Sequence, residues 1–176
     1  MAIPKNTNRV STLREPQLAI VVAMTDDRVI GCKNQIPWDM PEERLLFREL
    51  TFDNTVIMGS HTFQSLEKPL ANRINIVLTK SPKSFPGAIT CRSFFQSLVL
   101  GLRIGKPIYV IGGVGPYQMA LSVADCLHIS WIKGTFKGDR YFPELDRRNW
   151  LAEEKRVYEG FSYVRYRRHI KAVTQA

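Results

Sequence analysis

Between residues 40 and 50, Met40, Glu43, Leu46, Phe47 and Leu50 recur at helical spacing, which puts a carboxylate in the middle of an apolar stripe. An acid in a first helical turn is stabilised by the helix dipole, and that suffices for Glu42, which points elsewhere. For Glu43 it is not enough. An ionised carboxyl held against Leu and Phe loses solvation on the order of several kcal/mol unless a partner restores it. A hydrogen-bond-donating or cationic ligand is one such partner and a structural contact is another; periodicity alone leaves both open. Just upstream runs a long connection, 27–39, in which Gly31 and Asn34 suit turns and Pro37 stiffens the approach to Trp38. A tryptophan there serves packing or chemistry, and its N–H needs an acceptor if it is buried.

Two glycine turns carry the other chemical signal. Ile111-Gly112-Gly113-Val114-Gly115-Pro116-Tyr117 reads as the end of a strand, a turn and a helix start. Backbone N–H groups at such a junction can hold phosphate, and glycine lets the ligand come close. It is not the G-x-G-x-x-G fingerprint, because Gln118 stands in the last glycine position. Met58-Gly59-Ser60-His61-Thr62 repeats the pattern. Each turn alone also reads as a plain tight turn, while two of them together suit a pyrophosphate.

Such residues need a scaffold that holds them. Short apolar runs bounded by turn residues recur at 18–24, 55–58, 74–79, 88–91, 108–111 and 126–132. Their continuous, non-alternating hydrophobicity marks strands covered on both faces, as in a parallel sheet with crossover helices. Helices are expected at 40–50, 60–66, 94–103 and 116–122; Asp39 caps the first, with Glu42 at capping-box spacing and Pro41 harmless in the first turn. Residues 150–158 and 161–170 read as an antiparallel pair joined at Glu159-Gly160. The expectation is a single-domain α/β protein: a central, mostly parallel, eight-stranded twisted sheet, about four flanking helices, and an antiparallel C-terminal strand pair. Residues 1–15 read as a flexible arm, and the domain is expected to span 16–172.

Composition excludes several classes. At 176 residues, 44% hydrophobic and 23% charged, the chain reads as one folded domain with its own core, not a fibrous or disordered protein. Cys32, Cys91 and Cys126 form an odd set without C-x-x-C spacing, so neither a metal site nor a disulfide framework is expected, and a reducing, cytoplasmic setting fits. The apolar run 18–24 is too short to cross a membrane. The net charge is +9, part of it at Lys5, Arg9 and Arg14 and at Arg165, Arg167, Arg168, His169 and Lys171. The remaining bases are spread singly, with no basic stripe or aromatic RNA motif, so no specific nucleic-acid partner is expected and an anionic small molecule fits better.

Several segments then converge on one family. Asp27-Arg28-Val29-Ile30-Gly31, Pro37-Trp38, Val56-Ile57-Met58-Gly59 with His61-Thr62-Phe63, Lys68-Pro69-Leu70 with Arg73, Ile111-Gly112-Gly113, and Gly138-Asp139 with Tyr141-Phe142-Pro143 resemble dihydrofolate reductase in order and spacing. The resemblance implies NADPH as cofactor, dihydrofolate as substrate, antifolates as inhibitors and, as an expectation, a monomer. By the same resemblance, Glu43 is the active-site acid, Trp38 orders a water beside it, and Ser130 matches a threonine whose hydroxyl bonds the carboxylate. Val21, Val22, Phe47, Leu66, Leu70 and Ile111 would line the substrate pocket, with Arg73 on the α-carboxylate of the substrate's glutamate, and Tyr117 would contact both the substrate and, with the phosphate-binding turns, the cofactor. Ala23, Ile30, Gly31 and Asn34 would meet the nicotinamide half. His61, Thr62, Gly112, Gly113, Val114 and Gly115 would hold the phosphates, and Leu78, Thr79, Lys80 and Arg92 the adenosine end.

Three positions depart from the family pattern: Ser60, where Arg or Lys is usual; Gly115, where some members carry Arg; and Arg44, where an apolar residue is common. The alternatives are a pyrimidine reductase of riboflavin synthesis, which shares fold and cofactor, and a non-catalytic folate- or nucleotide-binding protein. Trp38, Glu43 and Arg73 together argue against the first.

Overall fold

The computed structural model describes residues 17–66 and 68–169. Its first strand, β1 (Leu18–Thr25), is apolar at every position but the last because both of its faces are covered. Leu18, Ile20, Val22 and Met24 join one core cluster, while Ala19 and Val21 join another on the opposite face. After β1 the chain forms β2 (Val29–Gly31), α1 (Pro41–Thr51), β3 (Thr55–Gly59), α2 (Ser60–Ser65), β4 (Ile74–Leu78) and β5 (Ile89–Cys91). It continues through α3 (Phe94–Ile104), β6 (Ile108–Gly112), α4 (Val114–Ala120), β7 (Cys126–Ile132), β8 (Arg140–Tyr141), β9 (Trp150–Val157) and β10 (Phe161–Arg168).

Eight strands form one sheet in the order β5-β4-β3-β6-β1-β7-β10-β9. The first six run parallel, and β10 pairs antiparallel with both β7 and β9. This is the expected α/β architecture, with an additional two-stranded sheet of β2 and β8 that the sequence pattern did not show. At three and two residues those strands are too short to display any periodicity.

The layering opens a site. Phe47 and Leu50 of α1 pack on the cluster that holds Val21, Met58 and Ile111. Tyr117 and Ala120 of α4 pack on the opposite cluster, with Ile20, Val110 and Ile129. The chain therefore leaves the adjacent strands β1 and β6 toward opposite faces, and the carboxyl ends of these strands part into a crevice.

Two local expectations are corrected. The first helix begins at Pro41 with Met40 at its N-cap and no side-chain cap, so Asp39 lies one residue too early to reach the first amides. Asp39 pairs instead with Arg44, and Glu42 falls short of the capping-box position. The last helix starts at Val114 rather than at residue 116, placing Pro116 inside the first turn, where its missing N–H leaves no bond unmade. The expected arm 1–15, and residues 16 and 170–172 of the expected domain, lie outside the described residues.

Candidate active site

The crevice is a cleft of about 1550 Å³ running across the carboxyl ends of β1, β3, β4 and β6. A pocket for one drug-sized ligand holds roughly 300–1,000 Å³. This one has room for two ligands side by side. Every residue assigned from the sequence to the acid, the substrate or the cofactor lines it except Ser130, which stands on β7 beside Ala23.

At one end, α1 delivers Glu43 and Phe47, β1 delivers Val21 and Val22, and the segment after α2 delivers Leu66, Leu70 and Arg73, with Ile111 from β6. Glu43 is only 8% exposed and shares the buried face of α1 with Leu46. The helix places it there because the apolar stripe must face the sheet. The Ser130 hydroxyl, buried on β7, donates to its carboxylate. Burial raises the Glu43 pKa above the usual carboxylate range, and the Ser130 bond and the Arg44 charge offset that only partly. Trp38 is buried edge-on against Phe136, with ring centroids 5.3 Å apart, and lines the cleft beside the acid's helix. Arg73 is half-buried; its Nε donates to Thr51 Oγ1 at 3.3 Å and its Nη1 to the Ala71 carbonyl at 2.5 Å.

Between the two ends stands Tyr117. Its hydroxyl donates 2.9 Å to the Val21 carbonyl and so ties α4 to β1 across the parting strands. Burial, and then the Glu43 charge, push its pKa upward and keep the phenol protonated. Ala23, Ile30, Gly31 and Asn34 line the neighbouring wall, where Asn34 takes a positive φ of 63° within the connection after β2.

The other end fits an anionic dinucleotide. The two glycine turns lie side by side, since a Cβ built on Gly59 would sit 3.8 Å from the Gly113 nitrogen. A side chain at Gly113 would press to 3.2 Å from Thr62 Oγ1, and Gly112, at φ 129°, has the same hydroxyl at 3.4 Å and Tyr117 Oη at 3.5 Å. Bare backbone and a threonine hydroxyl are therefore what face a ligand, as pyrophosphate recognition requires. His61, Val114 and Gly115 complete this wall, and Leu78, Thr79, Lys80 and Arg92 extend it from the ends of β4 and β5. Lys80 and Arg92 are exposed, and neither has an acidic partner among the described residues.

Sequence reasoning missed Arg48 and Arg140, which also line the cleft. The signal for Arg48 was present, one helical turn beyond Arg44. Arg140 is brought in by the β2–β8 pairing, where its side chain packs over Gly31. A second cavity, about 460 Å³, lies nearer the C-terminal end of α1 and includes the buried pair His128 and Tyr163, bonded at 2.8 Å.

Comparison with known proteins agrees with this geometry. The dihydrofolate reductase family model matches residues 17–170. The chain is 38% identical to the dihydrofolate reductase of Bacillus subtilis over 135 residues, 76% of this chain and 79% of the relative. It is 37% identical to that of Haemophilus influenzae, over 77% of this chain and 84% of the relative. A solved dihydrofolate reductase from Enterococcus faecalis, complexed with NADP(H) and RAB-propyl, superposes with a TM-score of 0.81 at 30% identity, covering 88% of this chain and 97% of that one. The chain belongs to the dihydrofolate reductase family, the NADPH-dependent oxidoreductases that reduce dihydrofolate and bind antifolates.

Proposed function

We propose that this chain reduces dihydrofolate to tetrahydrofolate at the cleft just described, with Glu43 as the acid that binds the pterin and supports protonation of its N5. The observation that carries the reading is a carboxylate buried in an apolar wall, with one hydroxyl partner from the protein and open cleft on its other side. Bound NADPH supplies the hydride. Glu43 accepts N–H bonds from the pterin ring, which restore the solvation its burial removes. Because burial raises its pKa, Glu43 holds a proton on its carboxyl further toward neutrality than a solvated glutamate does. Ser130 fixes the carboxylate's orientation, and Trp38 screens that side of the cleft from bulk water while helping to place one ordered water. Val21, Val22, Phe47, Leu66, Leu70 and Ile111 hold the flat apolar parts of the substrate. Arg73, with donors to spare, takes the α-carboxylate of its glutamate.

The bare turns at Gly59 and at Gly112 and Gly113, with Thr62 and His61, are assigned to the cofactor's pyrophosphate, and Lys80 and Arg92 to its 2′-phosphate. Three thiols, none in a disulfide, support a reducing, cytoplasmic setting. No described helix is long and apolar enough to cross a membrane.

The test is a pH–rate profile of Glu43→Gln. An amide neither carries the charge nor supports proton delivery, so turnover should collapse at neutral pH and partly return at low pH, where substrate arrives already protonated. Turnover within about twofold of wild type across roughly pH 5 to 8 would contradict the assignment.

A further inference from the structure

The second cavity, about 460 Å³, shares no lining residue with the main cleft, and its size suits one small ligand. Helix α1 ends at Thr51 and covers only part of its sheet face. Glu49 and Asn54 therefore stand on one wall, while β6, β7, β10 and β9 supply the floor. Tyr109, His128 and Tyr163 on that floor are exposed to only 5%, 5% and 2%, so they offer a guest little apolar surface. His128 and Tyr163 are already bonded to each other, and burial holds the His128 ring neutral. What remains open to the cavity is charge and amide, a lining that disfavours an apolar guest.

The charges of this lining are not all matched from within. Arg156 donates from Nε to Glu154 at 2.7 Å, and that pair is complete. Arg165 has no equivalent bond. A bulge in β9 opposite Arg165 and Tyr166 lets Glu153 turn to the same side as Glu154. Glu153 is held by Arg167, however, and stays 3.8 Å from Arg165; Arg165 Nε and the facing Glu153 oxygen are both buried without a hydrogen-bond partner. Glu49 has no ion-pair partner among the described residues. One base on the floor and one acid on the wall are thus left for a guest. A plain anion would serve Arg165 and be repelled by Glu49, and a plain cation would do the reverse. A molecule carrying both charges serves both.

We propose that this cavity is a second ligand site, separate from the reductase cleft, for a polar α-amino acid whose carboxylate lies on Arg165 and whose ammonium group faces Glu49. The Arg165 side chain is only 14% exposed, so its bond to the carboxylate is the stronger contact. Glu49 is exposed, and its contact with the ammonium group is the weaker one. Asn54 spends its Nδ2 on the Leu50 and Phe52 carbonyls, which leaves its side-chain oxygen to accept from a donor on the ligand's side chain.

NMR titration of the isotope-labelled full chain tests this, with NADP+ and folate present to occupy the main cleft. The probes are glutamine, glutaramate, which lacks the ammonium group, and γ-aminobutyramide, which lacks the carboxylate. Glutamine should shift the amide signals of Tyr109, His128 and Tyr163 with a dissociation constant on the order of 1 mM. Glutaramate should bind about threefold to fivefold more weakly, the scale of an exposed ion pair. Loss of the carboxylate should cost about tenfold or more, the scale of a hydrogen bond to a charged group. Glu49→Gln should abolish the advantage of glutamine over glutaramate, and Arg165→Gln should weaken both. If Arg165→Gln fails to fold, the three probes and Glu49→Gln, which alters an exposed side chain, still decide. No shift at these amides with about 10 mM glutamine, tenfold above a millimolar constant, would overturn the site. Equal affinity for glutamine and glutaramate in wild type, or an advantage that survives in Glu49→Gln, would overturn the pairing of the ammonium group with Glu49.

Discussion

In the mechanism proposed above Glu43 serves catalysis at the expense of stability, and both sides of that trade can be measured. Desolvation is the largest influence on its carboxyl and raises its folded pKa above the value in the unfolded chain. A raised acid stabilises the fold fully only below the unfolded pKa, about 4.3. That stability is lost as pH rises through the folded pKa, because the unfolded chain then ionises more readily. Glu43→Gln removes the ionisation while keeping shape and hydrogen-bonding capacity toward Ser130. Its Tm should therefore exceed that of wild type at neutral pH and approach it in acid, which thermal melts across pH would show. A variant that is inactive and less stable at neutral pH would point to a structural role for the carboxylate. Arg73 sits at the opposite limit, a half-buried guanidinium with no acidic partner among the described residues and the Arg48 charge nearby. Arg73→Leu should weaken folate binding roughly tenfold to a hundredfold, the scale of hydrogen bonds to a charged group, and leave NADPH binding nearly unchanged. Folate affinity unaltered by that substitution would remove Arg73 from the substrate site.

Strand ends deliver the chemistry, so the strands were what the sequence had to reveal, and the buried ones did so. β1, β3, β4, β6 and β7 read as continuous apolar runs because neighbours cover both their faces, and Glu43 was visible because helical periodicity placed a charge among Leu46, Phe47 and Leu50. What stayed hidden depends on tertiary contact. β2 and β8 exist only by pairing with each other across the chain, and the contact of His128 with Tyr163 joins residues 35 apart, so no local pattern announces either. The failed Asp39 cap has a local cause, since Met40 takes the N-cap position and Pro41 opens the helix. In the proposed assignment, cofactor choice rests on the ends of β4 and β5. Lys80 lies just past β4 and Arg92 just past β5, both on the cleft wall, whereas Ser60 and Gly115 bring no charge to it. Lys80→Ala combined with Arg92→Ala should lower the ratio of kcat/KM for NADPH over NADH by roughly tenfold or more, allowing for the exposure of both side chains. An undiminished ratio would place the 2′-phosphate on other residues.

The whole molecule carries an acid-sensitive point away from the chemistry. Burial, with help from the Arg165 charge, holds the His128 pKa down to about 4. Its ring is bonded to Tyr163, touches Cys126 and lies near Tyr109. The folded imidazole thus stays neutral while the unfolded one titrates near about 6.5, so its contribution is complete above that pH. As pH falls from about 6.5 toward the folded value of about 4, on the order of 3 kcal/mol of stability is lost. His128→Gln keeps a partner for Tyr163 and should flatten the fall in Tm over that window; an unchanged slope would assign the acid sensitivity to other groups. The central claim is nevertheless about catalysis, and one measurement addresses it directly: the loss of NADPH absorbance when dihydrofolate is added to the purified chain, followed together with tetrahydrofolate formation. The expected result is NADPH consumption that requires dihydrofolate, matches tetrahydrofolate mole for mole, and is largely abolished in Glu43→Gln. Binding of both ligands without NADPH consumption, or consumption equal in the Glu43→Gln variant, would contradict it.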